Sequence, residues 1–337
     1  MILITGGLGF VGSHIALRLL QRGHGVVLVD NLVNSHSMNL ERLQQISGQY
    51  IPFSQVDLRN TPALNKFIEQ YPIDAVIHCA GFKSLQESTI KPIEYYNNNL
   101  NVLMSLIRVM QRIGCHSLIH LSSAVVYGQS ALNLHEETEL NHHYLNPYAH
   151  SQQMMEQILQ DVSLSDEEWN IVLLRVSNVV GAFEQGLWGE YIPKLPKSIM
   201  GLLMQIAHHE REYLELYQQA GTEDKTVERN FVHVLDVCQA VEKALYWQYQ
   251  RSSGYDIFNI ASQEHTSIAK LIQKVEQVTK TKIPTIEPHF LFRPLDQISL
   301  VVEKAQRILN WTAERSLGQM IEDQWLFYNN VNDNYLL

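Results

Sequence analysis

The stretch "NPYAHSQQMMEQ", residues 146–157, places Tyr148 where a helical pattern begins and Gln152 four positions further on. Positions i and i+4 share one helix face, so the two side chains point to the same place. A phenol with its ordinary pKa of ~10 is a poor base at neutral pH, and a nearby cation is the usual remedy. Gln152 can hydrogen-bond but carries no charge. A second group is Gly7-x-Gly9-x-x-Gly12 in "MILITGGLGFVGSH", with Phe10 and Val11 inside the pattern and Asp30 closing "GVVLVD". Gly7 suits a tight turn, Gly9 lets backbone approach a pyrophosphate, and Gly12 lets helix and strand pack closely. The pyrophosphate would rest on the exposed N–H groups of a helix N-terminus. The Asp30 carboxylate would accept from ribose hydroxyls and repel a 2′-phosphate, which selects NAD over NADP. The pattern follows a strand and opens a helix, the context that gives it weight over a ligand-free glycine turn.

The elements that must hold these groups alternate along the chain. Apolar strand-like runs ("MILIT", "GVVLVD", "IPFSQVD", "DAVIHCA", "SLIHLSS", "NIVLLRV") are separated by helical patterns at 12–22, 40–47, 62–70, 93–113 and 148–162. Strands apolar throughout indicate a parallel sheet covered on both faces. The expected fold is α/β, a Rossmann-type doubly wound sheet with a smaller mixed α/β domain. The alternation stops near residue 177. Beyond it come a helix at 194–208, the strand-like "REYLELY", a polar turn "GTEDKT", and helices at 234–248, 266–279 and 317–328. The division this suggests is an NAD domain over 1–177, with a returning segment near 226–260, and a substrate domain over 178–225 and 261–337.

At 337 residues the chain can bury one large or two medium cores. A net charge of −10 with no Lys/Arg run argues against nucleic-acid and anionic-membrane partners. Cys79, Cys115 and Cys238 lack metal-ligand spacing and read as buried free thiols, which fits a reducing cytoplasm. No metal site is expected. No basic leader precedes the first strand, and no apolar run reaches the ~20 residues of a membrane span.

The strings "TGGLGFVGSH", "DNLVNS", "DLRN", "VIHCAGFKSLQES", "KPIEYYNNN", "SSAVVYG", "NPY", "LLRVSN" and "LNW" follow one another in the order and spacing of a known family. The chain resembles an extended short-chain dehydrogenase/reductase, more closely a UDP-glucose 4-epimerase of the NAD-dependent epimerase/dehydratase family, nearly end to end. The resemblance implies Asp57 and Leu58 beside the adenine and Asn31 and Asn34 near its ribose. Ala80, Gly81 and Lys83 would lie along the cofactor, Asn98 and Ser122 near its nicotinamide half, and Tyr148 and Gln152 against the nicotinamide ribose. Ser123 and Tyr148 match the catalytic hydroxyls. Lys83, Ser123, Tyr148, Asn178, Ser198, Arg229, Arg293 and Asp296 would meet a UDP-sugar. Arginines suit a diphosphate because their planar fork binds its oxygens with charge assistance. Taken singly, each would more often be a solvated surface residue. The implied reaction moves a hydride from sugar C4 to NAD and back through a 4-keto sugar. The implied assembly is a homodimer through helices 93–113 and 148–162. Leu100, Leu103, Ile107 and Met110 form an apolar seam compatible either with that contact or with packing on the sheet.

The chain also departs from this family. Gln152 stands where the family carries lysine. At about 5 Å and an effective dielectric of about 20, one cation contributes about 3 kcal/mol. That corresponds to a tyrosine pKa lower by about 2, so its loss implies a rate lower by about two to three orders of magnitude. Val125, Val176, Ser177, Asn230 and Ser198 replace residues usual in the family, and Leu300 sits where the sugar's N-acetyl group is limited. His150 lies on another helix face and reads as solvated or capping, and His142 and His143 precede the helix in a polar loop. Lys83 is the cation the resemblance leaves near the site. Two readings remain open: a slow 4-epimerase, or a non-catalytic NAD/UDP-sugar-binding sensor. A 4,6-dehydratase is set aside, because Ala124 and Val125 can neither donate nor accept a proton.

Overall fold

The computed structural model describes residues 1–128, 131–141, 146–184, 186–190, 196, 198–216, 224, 226–287 and 298–334. Seven strands form one parallel sheet: β1 (Ile2–Thr5), β2 (Val26–Asp30), β3 (Phe53–Gln55), β4 (Ala75–His78), β5 (Ser117–Ser123), β6 (Asn170–Val176) and β7 (Gly254–Ile260). Their order across the sheet is β7-β6-β5-β4-β1-β2-β3. The chain therefore winds outward from β1 in one direction, returns to its other side, and leaves a crevice where the order reverses. The apolar runs become strands buried on both faces because helices cover both. One core contains Ile4, Ile77, Ile119 and Val172 with helix Val234–Tyr249. The other contains Leu3, Val76, Leu118 and Leu173 with Val102, Leu106, Met155 and Leu159.

The helices expected at 12–22, 40–47, 62–70, 93–113, 148–162 and 234–248 occur as Phe10–Gln21, Met38–Ser47, Thr61–Ile68, Pro92–Ile113, Pro147–Ser165 and Val234–Tyr249. Leu103, Ile107 and Met110 are fully or almost fully buried against the sheet, and Leu100 packs beside them. The seam is therefore intramolecular, since a helix lying on a sheet must spend its apolar stripe there. Strand β7 pairs with β6 in continuous register from Gly254↔Asn170 to Ile260↔Val176.

The remaining chain builds a smaller unit around Met200, Leu203, Phe231, Leu271, Val275 and Ile321. There Glu228–His233 pairs with His265–Ser267 on one edge, while Asn178–Val180 and Ile298–Leu300 also pair with it. Helix Ile199–Ala207 is capped by Ser198, helix Ile268–Thr279 by Ser267, and helix Leu317–Asn334 completes the unit. Among the described residues of "REYLELY" only Leu214–Glu215 forms strand, and all of "GTEDKT" but Asp224 and Thr226 lies outside the described residues. Helices Leu85–Ile90 and Glu303–Leu309 and the 3₁₀ turn Ala124–Tyr127 were not foreseen. They are too short to show a periodicity.

Candidate active site

The glycine loop lies between β1 and helix Phe10–Gln21. The left-handed turn falls at Gly6 (φ 64°), one residue before the expected Gly7. A Cβ on Gly6 would come 2.8 Å from Ala80 N. Gly7 is needed instead for packing, since a Cβ there would meet Ile4 O and Leu28 Cβ at 3.0 Å. A Cβ on Gly12 would sit 2.2 Å from Gly6 O, so helix and loop touch with no room for a side chain. The helix N-cap is Gly9, without a capping side chain and without an acid in the first turn, which leaves its N-terminus suited to an anion. Phe10 and Val11 turn toward the core, Phe10 edge-on to His14 at 5.1 Å.

Beside this loop runs a solvent-open crevice of about 590 Å³ lined by Gly6, Gly9, Asp30, Asn31, Asn34, Leu58, Ala80, Gly81 and Asn98, among others. Asp30 ends β2 with its carboxylate accepting from Leu8 N (3.1 Å), Leu32 N (2.9 Å) and Ser35 Oγ (2.7 Å). This shape and this donor set fit a dinucleotide. Two residues expected at the cofactor also have internal partners. The Asp57 carboxylate is forked by Arg59 at 2.9 and 2.7 Å, and that hydrogen bond is the main reason its pKa falls to about 2. Ser122 donates its hydroxyl to buried Glu156, whose other partner is Arg175 at 2.7 Å. Neither residue is among those lining the crevice, whereas Val56 and Leu58, on either side of Asp57, are. Asn99, which sequence reading missed, clamps the loop after β4 by bonding Phe82 N (2.9 Å), Phe82 O (3.1 Å) and Ser151 Oγ (2.9 Å).

The local sequence explains where Tyr148 stands. Asn146 caps the helix by accepting from Ala149 N at 3.0 Å, and Pro147 occupies the first turn, so "NPY" starts the helix one residue before the phenol. Gln153 Nε2 bonds Val126 O at 2.6 Å and ties the helix to the turn after β5, where Ser123 accepts from Val125 N. This brings the Ser123 hydroxyl close enough to the Tyr148 phenol to act on its pKa. Burial pushes the Tyr148 phenol upward, and the Ser123 hydrogen bond and the Lys83 charge oppose it only in part. Lys83 Nζ lies 2.9 Å from Glu190, a residue without a sequence signal, and that carboxylate raises the lysine pKa. The Lys83 side chain is 67% exposed, so water screens much of what it offers Tyr148.

Gln152 is buried one turn from Tyr148 and faces His120 on β5. His150 meets Tyr96 Oη at 3.4 Å on another face, and His142 and His143 lie outside the described residues.

A second crevice, about 480 Å³, adjoins the hydroxyl pair and is lined by Leu85, Ser123, Val125, Val176, Ser177, Asn178, Arg229, Asn230 and Ile298, among others. Asn178 donates to Asn230 O at 3.0 Å. Asn230 explains its own amide, donating to Ser262 O (2.9 Å) while accepting from Leu300 N (3.0 Å), which a carboxylate could not do. Leu300 is buried in the core, and Ile298 takes the place at the crevice wall expected of it. Ser198 caps helix Ile199–Ala207 by accepting from Gly201 N at 3.1 Å and does not line the crevice. Arg293 and Asp296 lie outside the described residues.

A doubly wound sheet with a glycine cradle at its switch point defines a dinucleotide-binding fold of the short-chain dehydrogenase type. The chain belongs to the NAD dependent epimerase/dehydratase family, whose model matches residues 2–261, and its cofactor is NAD. It is 35% identical to UDP-glucose 4-epimerase 2 of Arabidopsis thaliana, over 98% of this chain and 95% of that one. It is 34% identical to UDP-glucose 4-epimerase of Bacillus subtilis, over 98% of each. Among solved structures it resembles UDP-glucose-4-epimerase from Stenotrophomonas maltophila with bound NAD and formylated UDP-arabinopyranose (TM-score 0.94, 30% identity, 99% of each chain). It also resembles the Bifidobacterium longum enzyme in complex with NAD+ and UDP (TM-score 0.93, 32% identity, 98% of this chain and 99% of that one).

Proposed function

We propose that this protein is a nucleotide-sugar 4-epimerase of the UDP-glucose/UDP-galactose type, slow at neutral pH. The observation that carries the reading is a crevice lined by Ser123, Asn178 and Arg229, whose serine acts on the buried Tyr148 phenol, in a fold that also holds a glycine-lined dinucleotide crevice. The names and bound ligands of its relatives support the nucleotide and the sugar. NAD, when bound, supplies the reversible hydride acceptor. The chain's own residues handle the proton. Tyr148 Oη takes it from the sugar's 4-hydroxyl and returns it, while Ser123 donates to the reacting oxygen. Arg229, with Arg293, would hold the diphosphate. Gln152 would anchor a cofactor ribose hydroxyl without lowering the tyrosine pKa.

The reading extends to a two-part organisation, residues 1–177 with a returning segment near 226–260 for the cofactor and the rest for the sugar nucleotide. It also extends to a cytoplasmic homodimer. The unpaired thiols of Cys79, Cys115 and Cys238 support the compartment. The outward Ile93 (73% exposed) and Met154 (45% exposed), on neighbouring helices, support the dimer. The alternative is a non-catalytic binder, favoured by one observation: a buried phenol with no close cation on its helix.

Proton NMR of the anomeric signals during incubation with UDP-galactose and NAD separates the two. Conversion to UDP-glucose above a no-enzyme control is expected. Silence in the native chain with turnover in Gln152→Lys would make it a binder disabled at one position. Silence in both would overturn the epimerase reading.

A further inference from the structure

A buried polar row crosses the face of the sheet beneath Gln152. Thr5, His78 and His120 are register partners on the adjacent strands β1, β4 and β5. Thr5 Oγ1 bonds His78 Nδ1 at 2.7 Å, and the His78 and His120 rings stack with centroids 5.3 Å apart. His78, His120 and Gln152 are respectively 1%, 2% and 5% exposed. Yet His78 Nε2, both nitrogens of His120 and Gln152 Oε1 have no hydrogen-bond partner of good geometry. Such atoms are costly in a core, and a group of them at one spot calls for a use. Burial holds both imidazoles in the neutral form, His120 at about 4, and the nearby Gln152 amide opposes this only in part. A neutral imidazole keeps one N–H to donate. Gln152 Oε1, lying against His120 without a donor of its own, is the natural acceptor.

We propose that His120 is a positioning residue for the cofactor: its ring N–H holds the Gln152 carbonyl oxygen, so that the amide N–H groups serve the nicotinamide ribose. His78, fixed by Thr5, braces the His120 ring. Gln152 is then an uncharged but oriented arm, and its effect on NAD depends on His120. This rests on the assignment of the cofactor crevice.

The test is a double-mutant cycle on the full chain with His120→Leu, Gln152→Leu and both together, reading NAD affinity by calorimetry and melting temperature without NAD. His120→Leu is expected to weaken NAD about five- to tenfold, the fold-change of one hydrogen bond. The melting temperature without NAD should change little, because the donor lost to buried Gln152 Oε1 is offset by removal of the second, unpartnered ring nitrogen. The double variant should bind no more weakly than Gln152→Leu alone, since the histidine acts through the glutamine. His120→Asn, which keeps an N–H donor, should recover affinity to within about threefold of native. Native affinity in His120→Leu, or additive losses in the double variant, would overturn the proposal. Absence of NAD binding by the native chain would instead overturn the cofactor assignment.

Discussion

At the scale of residues, the proposed reaction turns on the charge around Tyr148. The proton acceptor in that proposal is the Tyr148 phenolate, and burial raises the phenol's pKa against Ser123 and Lys83. A raised acceptor pKa leaves little phenolate at neutral pH, with tenfold less for each unit of pH below it. Log kcat/KM should therefore climb with a slope near one from about pH 6 to about pH 9. A pH–rate profile of UDP-galactose turnover checks this, and a plateau beginning below neutrality would contradict it. Glu190 draws on the same charge, because it pairs with Lys83 at 2.9 Å. Glu190→Gln should raise neutral-pH turnover about threefold and move the rising limb to lower pH, a small effect in keeping with solvent screening. The substitution of Gln152 for a cation was plain in the sequence. The Lys83–Glu190 pair was not, because its partners are brought together only by folding.

At the scale of elements, two anchors place the tyrosine helix Pro147–Ser165. Its start is local: the Asn146 side chain and Pro147 stop the chain from entering the helix later. Asn146→Ala should cost about 1 kcal/mol in urea denaturation and reduce kcat more than it changes KM, since it loosens the turn that carries Tyr148. The second anchor is tertiary. Glu156, buried in that helix, takes the Arg175 fork from β6 and the Ser122 hydroxyl from β5. Arg175→Met leaves a buried carboxylate unpaired and should destabilise the protein by about 3–5 kcal/mol, whereas Arg175→Met with Glu156→Leu should recover most of that loss. Equal stabilities of the single and double variants would show that the pair is not coupled. The helix was legible from its apolar period and its cap. The bond from Ser122 to Glu156 was not legible, because a side chain's partner is invisible when it comes from another element.

At the scale of the whole molecule, the crevices open on the large sheet's carboxyl side, where the strand order reverses and the smaller unit meets it. Cofactor binding should stabilise the fold by about 2.7 kcal/mol at one hundred times its dissociation constant. Gly12→Ala should abolish that gain, since its Cβ would fall 2.2 Å from Gly6 O. Thermal melts with and without NAD check both outcomes. The proposed dimer buries the outer faces of helices Pro92–Ile113 and Pro147–Ser165, so Ile93→Glu with Met154→Glu should give a monomer in sedimentation velocity. A monomeric native chain would remove the dimer from the reading.

The sequence by itself determined the alternation of strands and helices, the glycine loop with Asp30 and the start of the tyrosine helix. Each depends on periodicity or spacing within a few turns of chain, where local sterics and hydrogen bonding suffice. Tertiary structure decided that the left-handed turn belongs to Gly6, that the seam of Leu103, Ile107 and Met110 faces the sheet, and that Ile298 rather than Leu300 reaches the second crevice. It also set Thr5, His78 and His120 in one row under Gln152. Those residues lie on separate strands, and only the register of the assembled parallel sheet makes them neighbours.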